Sequence, residues 1–319
     1  MKNLKQRDVS IDASKGILII LVVLGHSGFK YKDYIYWFHM PAFFFISGIL
    51  FKDISSFSDL KQYMRKKIIG SLGYYVLFLI LFSVIEPYYT SVTYNKQYLY
   101  NHIFGRRLLM GIHGIFWFVT CLLITQLAFA VLNYFTKSKI IIFTFMLICY
   151  SLAHVQAYSF ALTNKRINYP LNADVALFAI MFFGLGYMFK KPLEKILSMD
   201  KIKLFPLALI INLLCLIPLY LNHIGKLNYV LDMKYSIYNN FILDLLIPLL
   251  FTFAIIIDSY PLRNMKILQS IGKNSFWIMY FHLPLNYVLR KNINYNWLPF
   301  LLIGTFIPLL IGKLIEKKS

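Results

Sequence analysis

Asp12, Lys15 and His26 put a carboxylate, an ammonium and an imidazole on one stripe of a single apolar segment, DASKGILIILVVLGH. At 100° per residue, Lys15 and His26 stand about 20° apart around a helix and about 16 Å apart along it. Asp12 precedes Lys15 by one turn on nearly the same face. A neutral histidine in an apolar site can act as a general base. A lysine at a membrane edge can hold a phosphate or polarise a leaving group. Asp12 would hold that lysine by a charge-assisted bond. The plainer alternatives are an imidazole hydrogen-bonded between helices and a surface ion pair worth little.

Other groups could join this chemistry. FHMPAFFFISGILF carries His39 at the opening of an apolar run, Pro41 in its first turn and Ser47-Gly48 for close helix contact. KQYMRKK carries Arg65, Lys66 and Lys67, suited to anionic headgroups or to the phosphates of a nucleotide-bearing donor. GIHGIFWF supplies His113 and Trp117, and GKNSFWIMYFHLPL supplies Ser275 and His282. Asp174 and Asp244 fall inside apolar runs and need a partner or a proton. Cys121, Cys149 and Cys215 also lie in apolar runs, without metal-ligand spacing, and read as small buried hydrophobes. No metal site is expected. GxSxG, HExxH, Walker and Rossmann patterns are absent, so a serine triad and ATP-driven transport lack support.

The elements that position these residues are membrane helices. The chain of 319 residues is 59% hydrophobic and 14% charged, against about 25% charged in a soluble globule. Ten spans are predicted, near 12–29, 34–51, 68–86, 113–134, 139–158, 172–190, 203–223, 237–258, 275–290 and 296–312. The fold class is an all-α polytopic membrane protein, one membrane-embedded domain over 1–319 with no soluble domain. The N-terminus is expected to be a retained first helix, since no small-residue cleavage site follows it.

The net charge of +20 comes from small basic groups beside apolar runs, which argues for anchoring and orientation and against nucleic acid. With the N-terminus inside, the inner segments hold 22 Lys and Arg and the outer ones 11. Both termini are therefore expected in the cytoplasm. Lys15 then sits at the cytoplasmic edge, and the aromatic segment 87–112 lies outside as an interfacial helix or lid.

In five of its pieces the chain resembles the acyltransferase-3 family of integral-membrane acyltransferases, and most closely its fucose 4-O-acetylase-like branch. They are IDASKGILIILVVLGH, FHMPAFFFISG, FWFVTCLLITQL, FFGLGYMFKK and IGKNSFWIMYFHLPL. Their order covers nearly the full chain, and the first two together are specific.

The resemblance implies transfer of acyl groups, usually acetyl from cytoplasmic acetyl-CoA, to hydroxyls of extracytoplasmic glycans. It maps the family's basic residue and histidine onto Lys15 and His26. His26 would act as general base or take the acetyl group itself, with Asp12 holding Lys15. Lys15 and the Arg65, Lys66, Lys67 cluster would hold donor phosphates. The family's basic cluster often continues into a proline; here it runs into Ile68, Ile69 and Gly70. His39, His113, Trp117 and His282 are weaker candidates for substrate contact, with the 87–112 segment completing an outer vestibule. Acetyl-CoA is the expected co-substrate, with no metal. The expected partners are a glycan or lipid-linked sugar acceptor, membrane lipids and a separate extracytoplasmic protein; some family members carry a fused hydrolase-like domain, which is not expected in this chain. The expected location is the cell (plasma or inner) membrane. The alternatives are a transporter or flippase of a lipid-linked sugar, leaning on Asp174 and Asp244, and a non-catalytic scaffold.

Overall fold

The computed structural model describes residues 9–316 apart from 89, 92, 93, 105–108 and 164–168. Of the basic residues that enter the orientation argument, Lys2, Lys5, Arg7, Arg106, Arg107, Lys165, Arg166, Lys317 and Lys318 lie outside the described residues.

The regular elements among the described residues are all helices, as expected, with no strand among them. The order is α1 (Val9–His26), α2 (Lys32–Tyr36), α3 (His39–Ile49), α4 (Phe57–Ile85), α5 (Lys96–Phe104), α6 (Phe116–Phe135) and α7 (Lys139–Thr163). Then come α8 (Ala173–Leu197), α9 (Lys201–His223), α10 (Leu243–Ser259), α11 (Lys266–Lys273), α12 (Ser275–Arg290) and α13 (Trp297–Glu316). Among the described residues, seven segments are long and apolar enough to cross a membrane. They contain α1, α4, α6, α7, α8, α9 and α13. The chain is a multi-pass membrane protein.

Three predicted spans are shorter helices. The segment at 34–51 breaks at Trp37, leaving α3 with 11 residues, roughly half of what a bilayer core needs. The segment at 237–258 becomes α10, which begins only at Leu243 because the Asn240 side chain accepts from the backbone N–H groups of Ile242 and Leu243. Residues 224–242 fold back over the bundle instead, pinned by a two-bond bridge between Asp232 and Ile237 and burying Tyr229, Leu231, Met233 and Tyr238. The third, α12, keeps its predicted bounds but has only 16 residues.

Close backbone crossings hold the short helices inside. Where α3 crosses α8, a Cβ on Gly48 would strike the Phe183 carbonyl, and one on Gly186 would strike the Phe45 carbonyl. Where α11 crosses α1, Gly16 faces the Leu268 carbonyl and Gly272 faces the Asp12 carbonyl. Small residues at such crossings let helices pack without a hydrophobic driving force. By contrast α4 and α9 are peripheral and present long apolar faces outward, among them Leu77, Ile80, Val84, Leu213 and Ile217. In a membrane these faces meet lipid.

Candidate active site

A cavity of about 630 Å³ runs through the centre of the bundle. α1 supplies Lys15, Ile19, Val22 and His26 to its wall, spaced four, three and four positions apart, so one helical stripe faces the cavity. α3 contributes Met40, Phe43, Ile46, Ser47 and Leu50, α6 contributes Trp117, Phe118, Leu122 and Gln126, and α12 contributes Ser275, Phe276 and Met279.

One end of the cavity is basic. Lys15, Lys52, Lys66 and Lys67 line it where α1 begins, α3 ends and α4 begins. A capping box sets the start of α4: Asp59 N–H donates to Ser56 Oγ and Ser56 N–H to Asp59 Oδ2, each at 3.0 Å. From that start, Tyr63, Lys66 and Lys67 share one face at three- and four-residue spacing. Arg65 points elsewhere and is exposed. The loop carrying Lys52 is tied down beside it. Tyr187 donates to Asp53 Oδ1 at 2.6 Å, Ile54 N–H donates to Asn133 Oδ1 at 2.9 Å, and Lys137 donates to the Ile54 carbonyl at 2.6 Å. The Tyr187 hydroxyl holds the Asp53 carboxyl below the usual range.

The other end carries His26, the last residue of α1. A helix end leaves carbonyls without partners. Here Tyr36 donates to the Gly25 carbonyl at 2.8 Å and Arg290 to the Ser27 carbonyl at 3.1 Å. These bonds fix the turn from which the imidazole reaches the cavity, and the ring is exposed there. Gly304 of α13 lies against Asn286, Val23 and the Cβ of His282, so its missing side chain brings that helix close behind the site.

His282 and His39 stand near His26 without lining the cavity. The rings of His26 and His282 are 5.3 Å apart. His26 lies 6.4 Å from Tyr36, which in turn lies 5.4 Å from His39. Both histidines are buried, and each donates from Nδ1 to backbone carbonyls: His39 to Ile35 at 2.7 Å, and His282 to Ile278 and Met279 at 2.9 and 2.8 Å. Carbonyl oxygens only accept, so the lone pair of each neutral ring is on Nε2.

Other predicted residues are placed elsewhere. Asp12 is buried at the α1–α11 crossing and does not line the cavity. Trp117 reaches the cavity, but His113 packs beside His102 and Phe116 outside it. Among the described residues, none of the 87–112 segment lines the cavity. Tyr94 donates to the Ser83 carbonyl at 2.8 Å and Tyr98 to Glu86 at 2.5 Å, so the segment folds onto the end of α4. Asp244 stands 3.2 Å from His154 Nε2 and accepts from the Asn240 N–H at 2.8 Å. Asp174 lies in the first turn of α8, with the Ser236 hydroxyl at 3.5 Å.

Sequence reading missed Lys52 and Gln126, which both line the cavity. Lys234 donates to the Leu109 carbonyl at 2.9 Å, and burial pushes its ammonium down to about 8. Its loop position beside Tyr235 carries no periodic signal.

The family model described as an acyltransferase domain matches residues 8–316. The chain is similar to nodulation protein NolL of Mesorhizobium japonicum, 28% identical over 202 residues, which cover 59% of this chain and 49% of that protein. It thus matches about half the length of this relative. No solved structure matches. With a helical membrane bundle around a cavity that joins a basic mouth to a histidine, and a family match over almost its whole length, the chain belongs to the acyltransferase 3 family.

Proposed function

We propose that the protein is a membrane O-acyltransferase that moves acetyl from cytoplasmic acetyl-CoA to a sugar hydroxyl of a surface or exported polysaccharide, in the manner of the fucose 4-O-acetylase-like branch. The observation that carries this reading is the shared cavity of Lys15, Lys66, Lys67 and His26. CoA is an anionic cytoplasmic molecule with a thin pantetheine arm. Its phosphates would sit among Lys15, Lys52, Lys66 and Lys67, and the arm would carry the thioester along the α1 stripe towards His26.

At His26 the acceptor hydroxyl attacks the thioester carbonyl. The imidazole takes the hydroxyl proton as the C–O bond forms, and passes it to the CoA sulfur as the C–S bond breaks. Trp117 gives the acceptor an aromatic wall suited to the C–H face of a sugar. In this reading the three short helices complete ten crossings or re-entrant segments of the cell membrane. Both termini are cytoplasmic, and the His26 end opens outward.

Transport of a lipid-linked sugar is less well supported. It would use Asp174 and Asp244 as coupling groups, yet neither lines the cavity, and Asp244 is engaged by His154 and Asn240. The deciding experiment compares surface glycan from cells with and without the gene by mass spectrometry. Loss of acetyl groups at unchanged glycan export supports transfer. Loss of glycan export at unchanged acetylation overturns it.

A further inference from the structure

Glu86, His102 and His113 come from three separate elements. Glu86 follows the last turn of α4, His102 lies in α5, and His113 lies in the 3₁₀ turn Gly111–Ile115 that leads into α6. Their ligand-type atoms all lie within 4.8 Å of one another. The two imidazole rings stand almost perpendicular with centroids 4.4 Å apart.

Both histidines are buried, at 6% and 1% exposure, and Nε2 of each lacks a hydrogen-bond partner. Burying two such polar atoms is unfavourable unless something binds them. The contact between His113 Nδ1 and Glu86 Oε2, at 3.7 Å, is too long for a good hydrogen bond.

The surroundings orient these groups as outer partners orient metal ligands. The Tyr98 carbonyl accepts from His102 Nδ1–H at 2.7 Å, which leaves Nε2 as the lone-pair nitrogen. The Tyr98 hydroxyl donates to Glu86 Oε2 at 2.5 Å. Tyr75 donates to the His102 carbonyl at 2.7 Å and holds α5 against α4. One residue, Tyr98, thus positions two of the three groups.

We propose that Glu86, His102 and His113 bind a divalent transition-metal ion, zinc by its ligand chemistry, as a structural clamp at the His26 end of the bundle. Two imidazoles and one carboxylate form a donor set that suits zinc, with water or the second carboxylate oxygen in the fourth position. Zinc at about 2.0–2.1 Å from each ligand needs the three groups to close inward by roughly 1 Å, within reach of side-chain rotation.

The clamp is structural because none of the three ligands lines the cavity. It joins the end of α4, α5 and the entrance to α6. His113 lies two and four residues before Ile115 and Trp117, which do line the cavity. Fixing His113 therefore fixes the wall against which an acceptor would lie. The metal claim itself does not depend on which acceptor, or which reaction, the cavity serves.

The test uses the full chain in detergent, purified without a polyhistidine tag. Elemental analysis after zinc loading and desalting should find about one zinc per chain, falling at least tenfold in His102→Ala/His113→Ala. Cobalt added to the chelated wild-type protein should give visible d–d absorption, and zinc should displace it. Tyr98→Phe keeps the backbone bond to His102 and loses the bond to Glu86, so it should bind metal about 10- to 100-fold more weakly. Wild-type protein with less than about a tenth of a zinc per chain and no cobalt absorption would overturn the proposal. So would equal zinc in wild type and the double variant. Neither result would touch acetyl transfer, which is read independently from the glycan.

Discussion

The imidazoles of His26 and His282 meet where α1 packs against α12, with centroids 5.3 Å apart and planes tilted by 37°. Only His26 lines the cavity; His282 stands behind it, fully buried. The two should therefore fail differently. His26→Ala should leave abundance near wild type and reduce acetylation about 100-fold or more, the usual contribution of a general base. Acetylation above about a tenth of wild type, by mass spectrometry of the glycan, would remove the catalytic role. His282→Ala empties a packed site and should also lower the melting temperature in detergent.

Lys15→Arg should retain activity and Lys15→Ala should lose most of it. Lys15 contributes a positive charge to the cavity wall, and arginine carries that charge with a similar reach. An equal loss in both variants would mean that the lysine acts through its own geometry or its ability to titrate.

The basic cluster on α4 should divide by helix face. Lys66→Ala and Lys67→Ala should each raise the acetyl-CoA KM about tenfold or more, because a hydrogen bond to a charged group contributes about 1.5–3 kcal/mol. Arg65→Ala should change it less than about twofold, since Arg65 does not line the cavity. Steady-state kinetics on purified protein decide the point, and equal effects at all three positions would place the donor elsewhere.

Glycines at the crossings should be intolerant and glycines on the peripheral helix tolerant. Gly48→Leu and Gly186→Leu force side chains into backbone carbonyls across the α3–α8 contact. Overpacking of this kind typically costs about 1–3 kcal/mol, and unyielding backbone raises that. Gly70→Ala and Gly73→Ala on α4 meet nothing within 4 Å, and should stabilise by up to about 1 kcal/mol through helix propensity. Monodisperse yield on size exclusion in detergent separates the two groups.

A single cysteine at Ser91 should be labelled by an impermeant reagent in intact cells. Ser91 is exposed, and the native Cys121, Cys149 and Cys215 are buried, so background labelling should be small. Labelling only after permeabilisation would invert the orientation, placing Lys15 outside and His26 towards the cytoplasm.

The helical membrane class and the Lys15–His26 stripe are legible in the sequence because both rest on local patterns. Long apolar runs specify helices, and a 3.6-residue period specifies which side chains share a face. The start of α4 is equally local, written in Ser56 and Asp59. Tertiary structure decided the rest, because partners far apart in the chain settle it. Arg65 and Lys67 look alike in KQYMRKK, and only the direction in which α4 packs separates them. His39, His113 and His282 were equal candidates in the sequence. Packing sets His282 beside His26 and His39 one tyrosine further away, and gathers His113 with Glu86 and His102 on another face. Short helices such as α3 look like spans in hydropathy, because a core within a membrane protein is as apolar as the lipid around it.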